Sequence, residues 1–201
     1  MNQWRGNQRH AVTGGTAPHI QTAHTRERRA EQQRQIQKRF GTPLVSITLV
    51  TPGEIKDSAI YRQIAVVARV ELEWLCQQQQ WTILWHETHF RPSGPEILMV
   101  VYAAGRKVKA ELVKLEERHA LGRLWNLDVI DVNGDFISRT QLGLPGRRCF
   151  ICDNRAHECS RSKRHSLSEL KESIRRRIED YERNQNSNER MHSIVGQPGV
   201  E

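Results

Sequence analysis

No run of this sequence is apolar for the roughly 20 residues that a bilayer-spanning helix needs, so no membrane partner is expected. The N-terminus also lacks the apolar core of a secretory signal and offers a mixture of Gln, Arg, His and Gly, which places the protein in the cytoplasm. Residues 1 to 22 hold almost no aliphatic side chains and read as a disordered leader. Acidic residues are in deficit, 23 against 31 Lys plus Arg, for a formal charge of +8. That balance points to anionic partners: nucleic acid, polyphosphate or an acidic protein. Cysteine is scarce and unevenly spread, with three of the four residues between Cys149 and Cys159. In a reducing compartment this pattern favours thiols or a metal over disulfides.

What is present suffices for one domain over residues 23–184 of the 201, followed by a flexible tail over 185–201. A polar helix is expected from Thr25, as cap, to Phe40. Val45, Ile47 and Leu49 alternate with Ser46 and Thr48 as in a half-buried strand, which Pro52-Gly53 ends. Asp57 or Ser58 then caps a helix whose stripe carries Ile60, Ile64, Val67, Leu72 and Leu75, with Cys76 as a packing residue near its end. "WTILWHETHF" and "PEILMVVYAA", separated by "RPSGP", predict a hairpin. Val108, Leu112 and Leu115 mark another helix, and "LWNLDVI" a last strand. The order β-α-β-β-α-β fits an α+β, ferredoxin-like antiparallel sheet with helices on one face, a nucleotidyltransferase-like α/β topology being the alternative. Asn133-Gly134 predicts a two-residue hairpin turn that sets Asp128 opposite Arg139 and Asn126 opposite Gln141. Trp125, Leu127, Val129 and Phe136 would then face the core, leaving those polar residues on an open face. Ser166 and Glu169 form a capping-box pattern ahead of a C-terminal helix over 166–184, with Leu167, Leu170, Ile174, Ile178 and Tyr181 as its apolar stripe.

Four constellations could carry chemistry. Asp128 and Arg139 are either a surface ion pair or a division of labour, the carboxylate holding Mg²⁺ and the guanidinium a phosphate. "PGEIKDS", Pro52 to Ser58, leads from a strand into a helix N-terminus where backbone N–H groups and Lys56 would attract phosphate, unless Asp57 fills that place itself. Cys149, Cys152, Cys159 and His165 supply three thiolates and an imidazole for a structural Zn²⁺, with free thiols as the plainer reading. The basic density from Arg147 to Arg177, with the run Arg175 to Arg177, suits an acidic or phosphate-rich partner beyond what simple solvation explains.

"ERHALGRLWNLDVIDVNGDFISRTQLGLPGRRCFICDNRAHECSRSKRH", together with "PLVSITLVTPGEIKDS" and "SGPE", resembles the citrate lyase holo-acyl-carrier-protein synthase family, the CitX family. The resemblance spans about residues 25 to 180. It implies transfer of a phosphoribosyl-dephospho-CoA group from triphosphoribosyl-dephospho-CoA to a serine of the acyl carrier (gamma) subunit of citrate lyase, with release of diphosphate. No nucleic-acid partner is expected, since one would leave the polar strand face unexplained. Under the resemblance, Asp128, Arg139, His119 and Lys56 are expected to serve the chemistry, His119 as proton acceptor or phosphate donor group, and Arg123, Asn126, Arg147 and Arg148 to bind substrate. Mg²⁺ at Asp128 is the expected cofactor, and Zn²⁺ at the Cys/His set a further one. The chain departs from the family pattern at Ala120, where Pro is usual, at Asn126, where a first Asp is usual, and at Glu54, where Pro is usual. Asn126 opens an alternative, a catalytically impaired carrier-binding homologue. The Cys/His segment opens another, a zinc-stabilised nucleic-acid-binding module.

Overall fold

The computed structural model describes residues 18–195. Its order is α1 (Pro18–Phe40), β1 (Leu44–Leu49), α2 (Ala59–Gln78), β2 (Thr82–Arg91), β3 (Gly94–Tyr102), α3 (Gly105–Arg118), β4 (Trp125–Ile130), α4 (Ala156–Arg161) and α5 (Leu167–Val195). The sheet runs β2-β3-β1-β4 with every neighbouring pair antiparallel. This is the strand order of the ferredoxin-like plan that the element sequence predicts. β3 lies inside the sheet and is buried from Gly94 to Val101, whereas β2 at the edge alternates. Among the described residues no helix is long and apolar enough to cross a membrane.

Each crossover helix forms for a local reason and packs for a shared one. Ser58 caps α2 by accepting from the Tyr61 N–H at 3.3 Å, and Ile64, Ala65, Ala68, Leu72 and Cys76 make its buried face. α2 ends where Gln80 turns left-handed, at φ 57°, letting the Trp81 N–H reach the Cys76 carbonyl at 2.8 Å. α2 and α3 cover one face of the sheet, over Val45, Ile47, Ile97, Met99, Trp125, Leu127 and Val129, and α5 adds Ile174 and Ile178.

The opposite face is not open along its whole length. α1 lays Ile36 on Leu44, Leu98, Val100 and Ile130, with Phe40 beside Trp85 at 6.0 Å between ring centroids. Further along the same face, the buried Glu96 carboxylate is held by Arg29 of α1 at 2.7 Å and by Arg91 at 3.4 Å. α1 begins at Pro18 rather than Thr25, so Thr25 is a helical residue and not a cap. Residues 18–22 of the expected leader belong to this helix, and α5 continues past 184 to Val195; residues 1–17 and 196–201 lie outside the described part.

The turn after β4 differs from the expected one by a single residue, with large consequences. Asp131 N–H bonds the Asp135 carbonyl at 2.8 Å, and Gly134 sits at φ 86°, so the loop has three residues with glycine in the left-handed position. The slip exchanges the faces beyond the turn: Ile137 is buried and Phe136 is 58% exposed. Pairing stops at the Ile130–Phe136 bridge, and the chain leaves the sheet for a 3-10 turn at Thr140–Leu142. Asp128 therefore stands opposite Ser46 of β1 and Asn126 opposite Thr48, not opposite Arg139 and Gln141.

Candidate active site

β4 is an edge strand, and its outward backbone groups would be orphaned without side chains to meet them. Three charged residues and one amide do so. The Lys109 ammonium donates to the Leu127 carbonyl at 2.6 Å, and Glu116 Oε1 accepts from the Leu127 N–H at 2.9 Å. Arg147 donates to the Trp125 carbonyl, to the Arg123 carbonyl at 2.7 Å and to the Asn126 side-chain oxygen. The Ile137 N–H closes the row on the Val129 carbonyl at 2.8 Å. Lys109 and Glu116 are buried, each 5% exposed. Burial pushes the Lys109 ammonium below its ordinary pKa, against the raising influence of Asp128 and Glu116, and pushes the Arg147 guanidinium down as well.

Two hollows meet on this edge. A polar cavity of about 230 Å³ lies among Glu116, Glu117, Arg123, Arg139, Arg147 and Arg148. A cleft of about 770 Å³ shares Arg123, Arg147 and Arg148 with it and extends to Asn126, the Val50–Gly53 loop, the Cys/His segment and the start of α5. Arg139 spends its guanidinium on Glu116 and, at 2.7 Å, on Glu117. Arg123 instead donates to the Cys149 carbonyl at 2.8 Å, and Arg147 only to neutral oxygens. Among the described residues neither Arg123 nor Arg147 comes within ion-pair distance of a carboxylate, although Glu116 and Glu117 share the smaller hollow with them and Glu116 and Asp128 act on Arg147 through space. Such a gathering of guanidinium groups can attract an anion.

Arg123, Asn126, Arg147 and Arg148 thus come together in one wall. Asp128 projects from the same face of β4 but lines neither hollow; its side chain is 51% exposed, 3.7 Å from the Lys109 ammonium. Lys56 does not reach the cleft lining; its ammonium rests on the Thr51 carbonyl. The nearby α2 N-terminus is already capped by Ser58, while Asp57 accepts from Arg62 at 2.8 Å. His119 also lies outside the cleft lining, stacked on Trp125 at 4.4 Å and beside Tyr181 at 5.4 Å. Its Nδ1 accepts from the Leu121 N–H at 3.1 Å, and burial lowers its pKa to about 4. The Lys109 and Glu116 contributions are absent from the sequence reading, although a signal existed. They sit at −3 and +4 from the core residue Leu112, charges placed on the apolar stripe itself.

The Cys/His set converges. The ligand atoms of Cys149, Cys152, Cys159 and His165 all lie within 4.8 Å of one another. Cys152 Sγ is 3.5 Å from Cys159 Sγ and 3.3 Å from His165 Nε2. A hydrogen bond from the Asn154 backbone, with help from Cys159 and His165, lowers the Cys152 thiol to about 6, into the range where thiolate forms near neutrality. This cluster can hold a metal ion.

The comparisons with known proteins agree over most of the chain. The family described as "Apo-citrate lyase phosphoribosyl-dephospho-CoA transferase", CitX, matches residues 21–181. A protein of that name from Citrobacter koseri is 39% identical over 146 residues, covering 73% of this chain and 80% of the relative. Another from Escherichia coli O7:K1 is 40% identical over the same length and coverage. The chain belongs to the CitX family of transferases.

Proposed function

We propose that this protein transfers the phosphoribosyl-dephospho-CoA group from triphosphoribosyl-dephospho-CoA to a serine of the citrate lyase acyl carrier (gamma) subunit in the cytoplasm. The serine oxygen attacks the phosphorus next to the ribose, a phosphodiester forms, the bond to diphosphate breaks, and the serine proton leaves to a base or to water. Family membership supports the transferase class, and the gathering of Arg123, Arg147 and Arg148 along the cleft supports the phosphate-rich donor. At about 770 Å³ the cleft falls within the size range of small-molecule sites.

Arg123, Arg147 and Arg148 would neutralise the phosphates and hold the leaving diphosphate as its charge grows. Asn126, already accepting from Arg147, orients that guanidinium without cancelling its charge. Asp128 offers the hard carboxylate oxygen that Mg²⁺ accepts, and the ion bound there would help neutralise the polyphosphate. The nearby Cys/His ligands suit Zn²⁺. Three thiols and an imidazole are the donors that structural zinc takes, and Cys152 already stands 3.5 Å from Cys159 Sγ and 3.3 Å from His165 Nε2, with the whole set within 4.8 Å.

The deciding assay mixes the purified protein, Mg²⁺, triphosphoribosyl-dephospho-CoA and apo carrier subunit, then reads diphosphate release and carrier mass. Transfer by the wild type is expected. If only Asn126→Asp transfers, the chain is instead a carrier-binding homologue disabled by its carboxamide.

A further inference from the structure

The segment from Arg147 to His165 has little of what ordinarily holds a chain in place. Its regular structure is the six-residue α4 and one isolated bridge between Arg148 and Arg155. Only Cys149 and Cys159 of its side chains are buried, and Phe150 packs partly buried against the core. A stretch this poor in apolar contacts needs a staple. Yet this same stretch forms one side of the cleft, contributing Arg147, Arg148, Cys149, Phe150, Cys159 and Lys163.

Cys149 joins the Cys/His cluster to the arginine wall. Its thiol is one of the four converging ligands, and its carbonyl accepts from Arg123 at 2.8 Å. Arg148 and Arg147 precede it directly in the chain. Its own N–H is fixed on the Asn154 carbonyl at 2.8 Å, and the Arg147 carbonyl on the Ala156 N–H at 2.8 Å, so the ligand loop and the arginine loop are one unit. Three thiolates around a divalent ion leave one net negative charge, which Arg148 and Lys163, lining the same cleft as Cys149, Cys159 and His165, complement. We infer that a zinc ion bound by Cys149, Cys152, Cys159 and His165 assembles the cleft, fixing the arginine wall so that nucleotide binding depends on this metal separately from any Mg²⁺ used in transfer. The nucleotide part rests on the transferase reading above; the metal part does not.

The test uses the full chain purified without chelator and dephospho-CoA as the probe ligand. About one zinc per chain is expected by elemental analysis, with loss in Cys152→Ser. Stripping the ion with a strong chelator should leave the far-ultraviolet circular dichroism of the sheet and helices largely intact. It should speed amide hydrogen exchange across 147–165 and weaken dephospho-CoA binding at least tenfold. Zn²⁺, not Mg²⁺, should restore both. Cobalt exchanged into the site should show thiolate charge-transfer absorption that Cys152→Ser reduces. Zinc far below one per chain, or stripping that alters neither exchange nor affinity, would overturn the inference. A protein that binds no dephospho-CoA even when zinc-loaded would overturn the nucleotide reading of the cleft, and the exchange data would still decide the metal site.

Discussion

Replacing Arg147 by Ala removes a guanidinium that holds two backbone carbonyls and the Asn126 carboxamide in one fork while keeping its charge toward the cleft. The loss should lower kcat/KM for transfer by about 10²-fold, the usual effect of deleting one preorganised donor to developing charge. Arg34→Ala, exposed on α1 and paired with Glu31, should change it by less than about threefold, and equal effects would detach Arg147 from the site. His119 makes a prediction of a different kind. Its folded-state pKa of about 4 lies below the ordinary value of 6.5, so between those values the unfolded chain binds a proton that the native chain refuses. Stability is therefore unaffected above pH 6.5 and falls as pH drops toward 4, by up to about 3 kcal/mol. His119→Asn keeps an acceptor for the Leu121 N–H and should flatten that slope in urea unfolding at pH 7 and pH 5; an unchanged slope would clear His119 of the effect. The arginine residues of the site were legible in the sequence as part of a resembling stretch, but the burial of His119 was not. Nothing in "EERHALG" announces that Trp125 and Tyr181 will enclose its ring.

At the scale of elements, the polar edge of β4 explains why a strand carrying Asn126 and Asp128 can close a sheet. Glu116 serves two partners, the Leu127 N–H and the Arg139 guanidinium, and both are left without it. Glu116→Ala strands the buried Leu127 N–H and leaves Arg139 with Glu117 alone, so it should cost about 2 kcal/mol, which urea unfolding would show. A cost under about 1 kcal/mol would mean that water or Glu117 replaces the carboxylate. The alternation of β1, the stripe of α2 and the β2–β3 hairpin were readable because burial on one side imposes period 2 or 3.6 directly on the residues. The register beyond Gly134 was not. Asn-Gly suits both a two-residue turn and the left-handed end of a three-residue loop, and the choice depends on Ile137 finding the core in place of Phe136. The polar face was expected to be open for a parallel reason. α1 is polar along most of its length, and its few anchors, Ile36, Phe40 and Arg29, do not stand out until the sheet shows what they meet.

Across the whole molecule the +8 charge is not evenly spread. On α5, Arg175 and Arg176 pair with Glu172, Arg175 also with Glu179, and Arg177 turns inward to the Phe150 carbonyl at 3.0 Å. The run that looked most basic in the sequence is thus locally compensated. The excess sits beside the cleft instead: Arg148 reaches Asp153 only at 3.9 Å and Arg155 reaches Glu158 only at 4.0 Å. Arg161, Lys163 and Arg164 are exposed on the same segment. A carrier protein that presented its serine to this cleft would meet that rim first, so an acidic surface around the serine would be drawn in by charge. Long-range attraction of this type acts on encounter, and a Debye length of about 10 Å at 0.1 M salt screens it. Raising salt from 50 to 300 mM should therefore lower kcat/KM for the carrier about tenfold while leaving kcat nearly constant. Arg161→Glu combined with Arg164→Glu should give the same loss at low salt and abolish most of the salt dependence. If instead kcat falls and kcat/KM does not respond to salt, the rim plays no part in docking, and the charge excess serves only the phosphates bound within the cleft.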